Sequence, residues 1–102
     1  MSASSLQYYV IICNRKKKKK FIDLIYSYDG VCVDTMYGKG SAKAGALALA
    51  LGFKTEELKV AISCIIPTNK AIELTEILKK DYAFQGKNTG IAFSVSIEAL
   101  SL

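Results

Sequence analysis

The feature that most constrains this chain is a repeated change in the period of its apolar residues. Over 102 residues they switch between the two-residue repeat of a strand and the 3.6-residue repeat of a helix. Leu6 to Cys13, LQYYVIIC, is dense in β-branched and aromatic side chains and reads as a buried strand. From Lys16 to Tyr28 the apolar positions Phe21, Leu24, Ile25 and Tyr28 form a helical stripe, and Asp29-Gly30 offers a left-handed exit. Val31 to Tyr37 alternates as a half-buried strand does. Ser41 to Leu51, SAKAGALALAL, predicts a short helix capped by Ser41 and stopped by Gly52. Leu58 to Ile66, LKVAISCII, is the most pronounced strand, and Pro67 ends it because proline has no amide hydrogen to donate. Thr68 or Asn69 is placed to cap a helix from Lys70 to about Tyr82, with its stripe at Ala71, Leu74, Ile77 or Leu78, and Tyr82. Ile91 to Ile97 alternates large with small residues and predicts a fourth strand.

Strand, helix, strand, strand, helix, strand is an α+β order. The ferredoxin-like βαββαβ arrangement satisfies it most simply: one domain over residues 1–102, a four-stranded antiparallel sheet with two helices on one face, and a short extra helix between strands two and three. Two helices cover only one face of such a sheet. Yet both sides of these strands are apolar or small, as in Tyr9 with Ile11, Ala61 with Ser63 and Ile65, and Ala92 with Ser94 and Ser96. A water-facing sheet alternates more strictly to charge, so the pattern predicts an oligomer built sheet against sheet.

Charge is concentrated in one place. The net charge is +5, but Arg15 and Lys16 to Lys20 hold six of the fourteen basic residues, leaving eight against nine acids elsewhere. A nucleic-acid reading of that run would want stacking aromatics on the middle strands, and LKVAISCII offers none, so no nucleic acid is expected. No uncharged apolar run approaches the roughly 20 residues of a membrane span, and the start MSASSLQYYV lacks the layout of a secretion signal. The expectation is a cytoplasmic protein that is not a membrane protein. Cys13, Cys32 and Cys64 sit in apolar runs with no histidine in the chain, which predicts buried free thiols and no metal site.

Chemistry is sparse. Without histidine, and without paired carboxylates or a Ser/Lys arrangement at a useful spacing, no catalytic residue is assigned and the chain is not expected to be an enzyme. Two glycine segments are the candidate ligand-binding elements. In the first, Gly38, Lys39, Gly40 and Ser41 precede the short helix, whose amides would favour an anion. In the second, Gly86, Lys87, Asn88, Thr89 and Gly90 precede strand four. Each is open to two readings, a plain turn or an anion cradle. Arg15, Lys16 and Lys17, where strand one ends, form a further patch that could reach an anion or an acidic partner surface.

The element order and both glycine segments together resemble the PII-like signalling proteins over nearly the whole chain. The most specific pieces are GKGSA, similar to the Gly-Arg-Gly-Thr-Ala pattern of the divergent short-loop branch, and TGIAFSV, similar to that branch's last strand. The resemblance implies a ferredoxin-like homotrimer that holds an adenine nucleotide or another small anion in clefts between subunits and regulates an enzyme or a membrane transporter. It places Gly38 to Ser41 at the base of the signalling loop and Gln85 to Gly90 at the phosphate-contacting loop. The predicted helix at Ser41 to Leu51 stands where nitrogen-regulatory members carry their long docking loop. The alternative is a structural or interaction module with a degenerate ligand site, docking an acidic partner through its lysine patch.

Overall fold

In the computed structural model, residues 5–37, 59–82, 84 and 90–98 are described. They form β1 (Leu6–Asn14), a 3-10 turn (Arg15–Lys17), α1 (Lys18–Ser27), β2 (Val31–Tyr37), β3 (Lys59–Pro67), α2 (Thr68–Asp81) and β4 (Ile91–Ser96). The strands make one antiparallel sheet in the order β2-β3-β1-β4, which is the ferredoxin-like topology expected from the sequence. The short helix expected at Ser41 to Leu51 lies outside the described residues.

Alternation along β1 and β3 decides what each face carries. Tyr9, Ile11 and Cys13 from β1 and Val60, Ile62, Cys64 and Ile66 from β3 meet Phe21 and Ile25 of α1 and Ala71, Leu74 and Leu78 of α2 in one buried cluster. These side chains are withdrawn from water almost completely, and burying each contributes about 1.5–3 kcal/mol for the larger aliphatics. The intervening residues face the other way. Val10 and Ile12 pack with Ala61 and Ile91 in a second, smaller cluster on the uncovered face.

The pairing register extends that uncovered face. Tyr8 stands opposite Ile65 and Val95, Val10 opposite Ser63 and Phe93, and Ile12 opposite Ala61 and Ile91. Residues opposite one another in an antiparallel pair share a face. The open side therefore carries Tyr8, Phe93 and Val95 next to Ala61, Ser63 and Ile65. Tyr9, Ile11, Ala92, Ser94 and Ser96, which the sequence pattern also offered as evidence of a second apolar face, belong to the helix-covered side. The open face thus carries large apolar residues, Tyr8, Phe93 and Val95, beside the smaller Ala61 and Ser63.

Several local expectations are corrected. The first helix does not run evenly from Lys16. Asn14 Oδ1 accepts the Lys16 amide at 2.9 Å, which tightens Arg15–Lys17 into a 3-10 turn before α1 begins at Lys18. At the other end Asp29 takes the left-handed conformation, with φ 67°, while Gly30 is required for space: a Cβ there would lie 2.3 Å from Ile25 Cγ2. Thr68 does not cap α2 but is its first residue, because Pro67 brings the chain in at ψ 142° and no side-chain cap forms. The Thr68 hydroxyl instead accepts from Gln7 Nε2 at 3.2 Å, tying the helix start to β1.

Strand β2 is an edge strand whose residues are exposed or half-buried throughout, so its inner positions are less covered than simple alternation implies. Its register with β3 breaks between Val31 and Asp34, where Cys32 sits at φ 54°. That irregularity turns the Cys32 thiol outward, against the expectation of three buried thiols; Cys13 and Cys64 are buried as expected.

Candidate functional site

The end of β1, the start of α1 and the end of β2 meet at one corner of the sheet. The 3-10 turn presents Arg15, Lys16 and Lys17 there, and Lys18 follows as the first residue of α1. Neither the turn nor the first turn of α1 contains an acid, and the Lys17 side chain at the N-cap makes no capping hydrogen bond. Four cations thus stand at the positive end of a helix dipole, an arrangement costing up to about 1 kcal/mol per exposed charge.

Tyr37, the last residue of β2, organises this corner. Lys18 Nζ donates to Tyr37 Oη at 2.6 Å, and Arg15 Cζ lies 4.4 Å from the ring centroid, over its face. The Lys18 hydrogen bond, seconded by the Lys18 and Arg15 charges and by the Thr35 hydroxyl, holds the Tyr37 phenol below its usual range even though partial desolvation opposes this. A cation stacked on the electron-rich face and a second cation at the hydroxyl fix the ring from two directions. Arg15 Nε is itself sealed from solvent without a hydrogen-bond partner among the described residues.

The sequence named Arg15, Lys16 and Lys17 for this patch, and the structure brings all three to the corner. Lys18 and Tyr37 were not assigned to it. Tyr37 reads in the sequence only as the end of an alternating strand, and nothing local announces that it meets a helix start 19 positions earlier.

Of the two glycine segments, Gly90 alone falls within the described residues; Gly38, Lys39, Gly40, Ser41, Gly86, Lys87, Asn88 and Thr89 lie outside them. Gly90 is buried under Phe84, and a Cβ there would lie 2.5 Å from Phe84 Cζ. Phe84 in turn meets Phe21 edge-on at 5.3 Å, so the glycine lets the chain into β4 pass close beneath an aromatic that completes the core.

A concavity of about 240 Å3, away from this corner, lies between α2 and the β1–β4 side of the sheet and is lined by Gln7, Thr68, Ala71, Ile72, Thr75 and Ser94, with Glu76 at its wall. It exists because the inward residue of β4 here is the small Ser94. Its walls supply hydroxyls and one amide rather than positive charge, so it does not suit an anion.

Architecture places the chain in a class. A βαββαβ sheet with both helices on one side is the ferredoxin-like fold, and solved structures of PII-like proteins share it. CPII from Thiomonas intermedia K12, solved with ADP, AMP and acetate bound, superposes with a TM-score of 0.63 at 18% identity, over 87% of this chain and 82% of that one. A putative PII-like signaling protein from Thermus thermophilus gives a TM-score of 0.64 at 12% identity, over 88% of this chain and 83% of that one. The GlnK–ATP complex of B. subtilis gives 0.58 at 13% identity, over 96% of this chain and 85% of that one. No family model matches the sequence, and no curated protein does.

Proposed function

We propose that this chain is a PII-like regulatory protein, acting as a homotrimer. It binds a small anionic ligand, an adenine nucleotide first among them, in clefts between subunits and signals by contacting a partner protein rather than by catalysis. The observation that carries this reading is the fold held in common with CPII and GlnK, solved with ADP, AMP and acetate and with ATP respectively. The uncovered apolar face supports it, because a sheet bearing Tyr8, Phe93 and Val95 in water gains stability by packing on another copy.

In this reading Gly38, Lys39, Gly40 and Ser41 form one wall of the cleft, and Gly86, Lys87, Asn88, Thr89 and Gly90 form the other. Both walls offer backbone amides with a lysine between glycines, a chemistry suited to phosphate oxygens.

Thermal unfolding with ADP, AMP, ATP and bicarbonate tests it. A ligand present at one hundred times its Kd stabilises the native state by about 2.7 kcal/mol, which raises the Tm of a chain this size by roughly 10 °C or more. The expected result is such a rise with at least one adenine nucleotide, lost in Lys39→Ala and Lys87→Ala. A chain whose Tm is indifferent to all four ligands is not a nucleotide-binding regulator.

A further inference from the structure

We propose that Arg15, Lys18 and Tyr37 form a receptor for a phosphoryl group within a single protomer. The inference stands on this corner alone and does not need the trimer, the glycine walls or the PII-like reading.

Hydrogen-bond direction comes first. An ammonium only donates, so in the 2.6 Å contact Lys18 Nζ gives its hydrogen to Tyr37 Oη. The phenolic hydrogen is left to point elsewhere. Arg15 Cζ lies 4.4 Å from the centroid of the same ring, and its Nε is buried and unpartnered, so the guanidinium is held against Tyr37. A guanidinium, an ammonium and a phenol from three elements thus meet at one corner.

Charge adds to this. Among the described residues, Arg15, Lys16, Lys17 and Lys18 form no ion pair. Of the described acids, Asp23 takes Lys19 at 2.9 Å, and Asp34 Oδ1 accepts the Thr35 amide at 2.9 Å. The positive end of α1 reinforces the surplus. A bound anion relieves repulsion that no acid among the described residues offsets by an ion pair.

The class of anion follows from the donor set. A guanidinium, an ammonium and a phenol together supply more donors than the two coplanar oxygens of a carboxylate can use, and so suit the several oxygens of a phosphoryl dianion better. A free phosphate or pyrophosphate and the phosphoryl end of a nucleotide share this chemistry.

Calorimetric titration with inorganic pyrophosphate and with ADP at low ionic strength tests the site, using Arg15→Gln, Lys18→Gln, Tyr37→Phe and, as a control for diffuse charge, Lys79→Gln in the last turn of α2. Pyrophosphate is expected to bind the wild type and to induce a tyrosine ultraviolet difference spectrum. Arg15→Gln and Lys18→Gln each weaken it by at least about tenfold, as loss of a charge-assisted hydrogen bond requires. Tyr37→Phe removes the difference spectrum, and Lys79→Gln changes affinity by less than about twofold, as a remote exposed charge should. Parallel loss of ADP affinity assigns the corner to a nucleotide's phosphoryl end, whereas unchanged ADP affinity assigns it to a free phosphate; either supports the receptor. Absence of pyrophosphate binding, or equal weakening by all the charge variants, overturns it. ADP binding that survives alongside absent pyrophosphate binding leaves the proposed function intact while removing this inference.

Discussion

Tyr9 Oη and Thr75 Oγ1 lie 2.6 Å apart, joining the middle of β1 to the middle of α2 across the helix-covered side of the sheet. Tyr9 is 1% exposed, whereas Thr75 is half-buried at the edge of the cavity beside α2. The two ends of the bond are therefore unequal. Tyr9→Phe leaves the Thr75 hydroxyl where water reaches it and costs about 1 kcal/mol. Thr75→Val strands the buried phenol and costs more, about 1–3 kcal/mol. Urea unfolding of both variants and of the double variant measures this; equal losses would mean that water serves both partners.

Alkaline pH loosens the core in a defined window. Burial pushes the Cys13 thiol from its ordinary 9.0 up to about 11, against modest lowering by Lys59 and Lys17, and pushes the Cys64 thiol up to about 11 as well. For an acid whose folded pKa is raised, the unfolded chain ionises first. The stability is complete below pH 9 and drains away as pH rises to about 11. Each thiol contributes on the order of 1–2 kcal/mol to this loss. Tyr9, also raised by burial, extends the decline at the upper end. Urea midpoints collected from about pH 8 upward should fall across this window, and Cys13→Ala with Cys64→Ala should flatten the fall.

Gly30 is expected to resist substitution for reasons of space rather than torsion. Its amide donates to Ile25 O at 2.9 Å, and a Cβ would meet Ile25 Cγ2 at 2.3 Å and Ile25 O at 3.0 Å. Ile25 is fully buried and cannot swing aside, so Gly30→Ala should destabilise by about 1–3 kcal/mol through overpacking. Asp29→Gly, at the left-handed position, should be neutral or mildly stabilising. Chemical denaturation of the two variants separates the roles; a harmless Gly30→Ala would mean that the helix end shifts freely.

Much of the fold was legible because its strongest signals are periodic. The alternation in LKVAISCII puts Val60, Ile62, Cys64 and Ile66 on one side, and the stripes of α1 and α2 supply the residues that cover them. What the periodicity left open was set by pairing. Which side of β4 faces the helices follows from Phe93 lying opposite Val10, and the outward turn of Cys32 follows from a break in register with β3. The candidate site was less legible. A run of basic residues is visible in any sequence, but the hold of Lys18 and Arg15 on Tyr37 requires the end of β2 to be brought beside the start of α1. No spacing rule encodes that approach.

The open sheet face supplies the last prediction. Phe93 and Val95 on β4 remain 46% and 54% exposed, Tyr8 on the neighbouring β1 is 43% exposed, and the register sets all three on one side with Val10. A patch of this kind is stabilised by association, since each large apolar side chain removed from water contributes about 1.5–3 kcal/mol. Phe93→Lys placed within such an interface leaves a desolvated charge without a partner, and should shift a trimer to protomers at micromolar concentration. Because Phe93 lies outside the helix-covered core, the protomer should keep its helical circular dichroism. The control is Tyr26→Lys on α1, which is also exposed but lies on the helical layer, and it should leave the assembly unchanged. Sedimentation velocity reads both results. A wild-type chain that sediments as a protomer, or a Phe93→Lys variant that still assembles, would place the contact between copies away from the sheet.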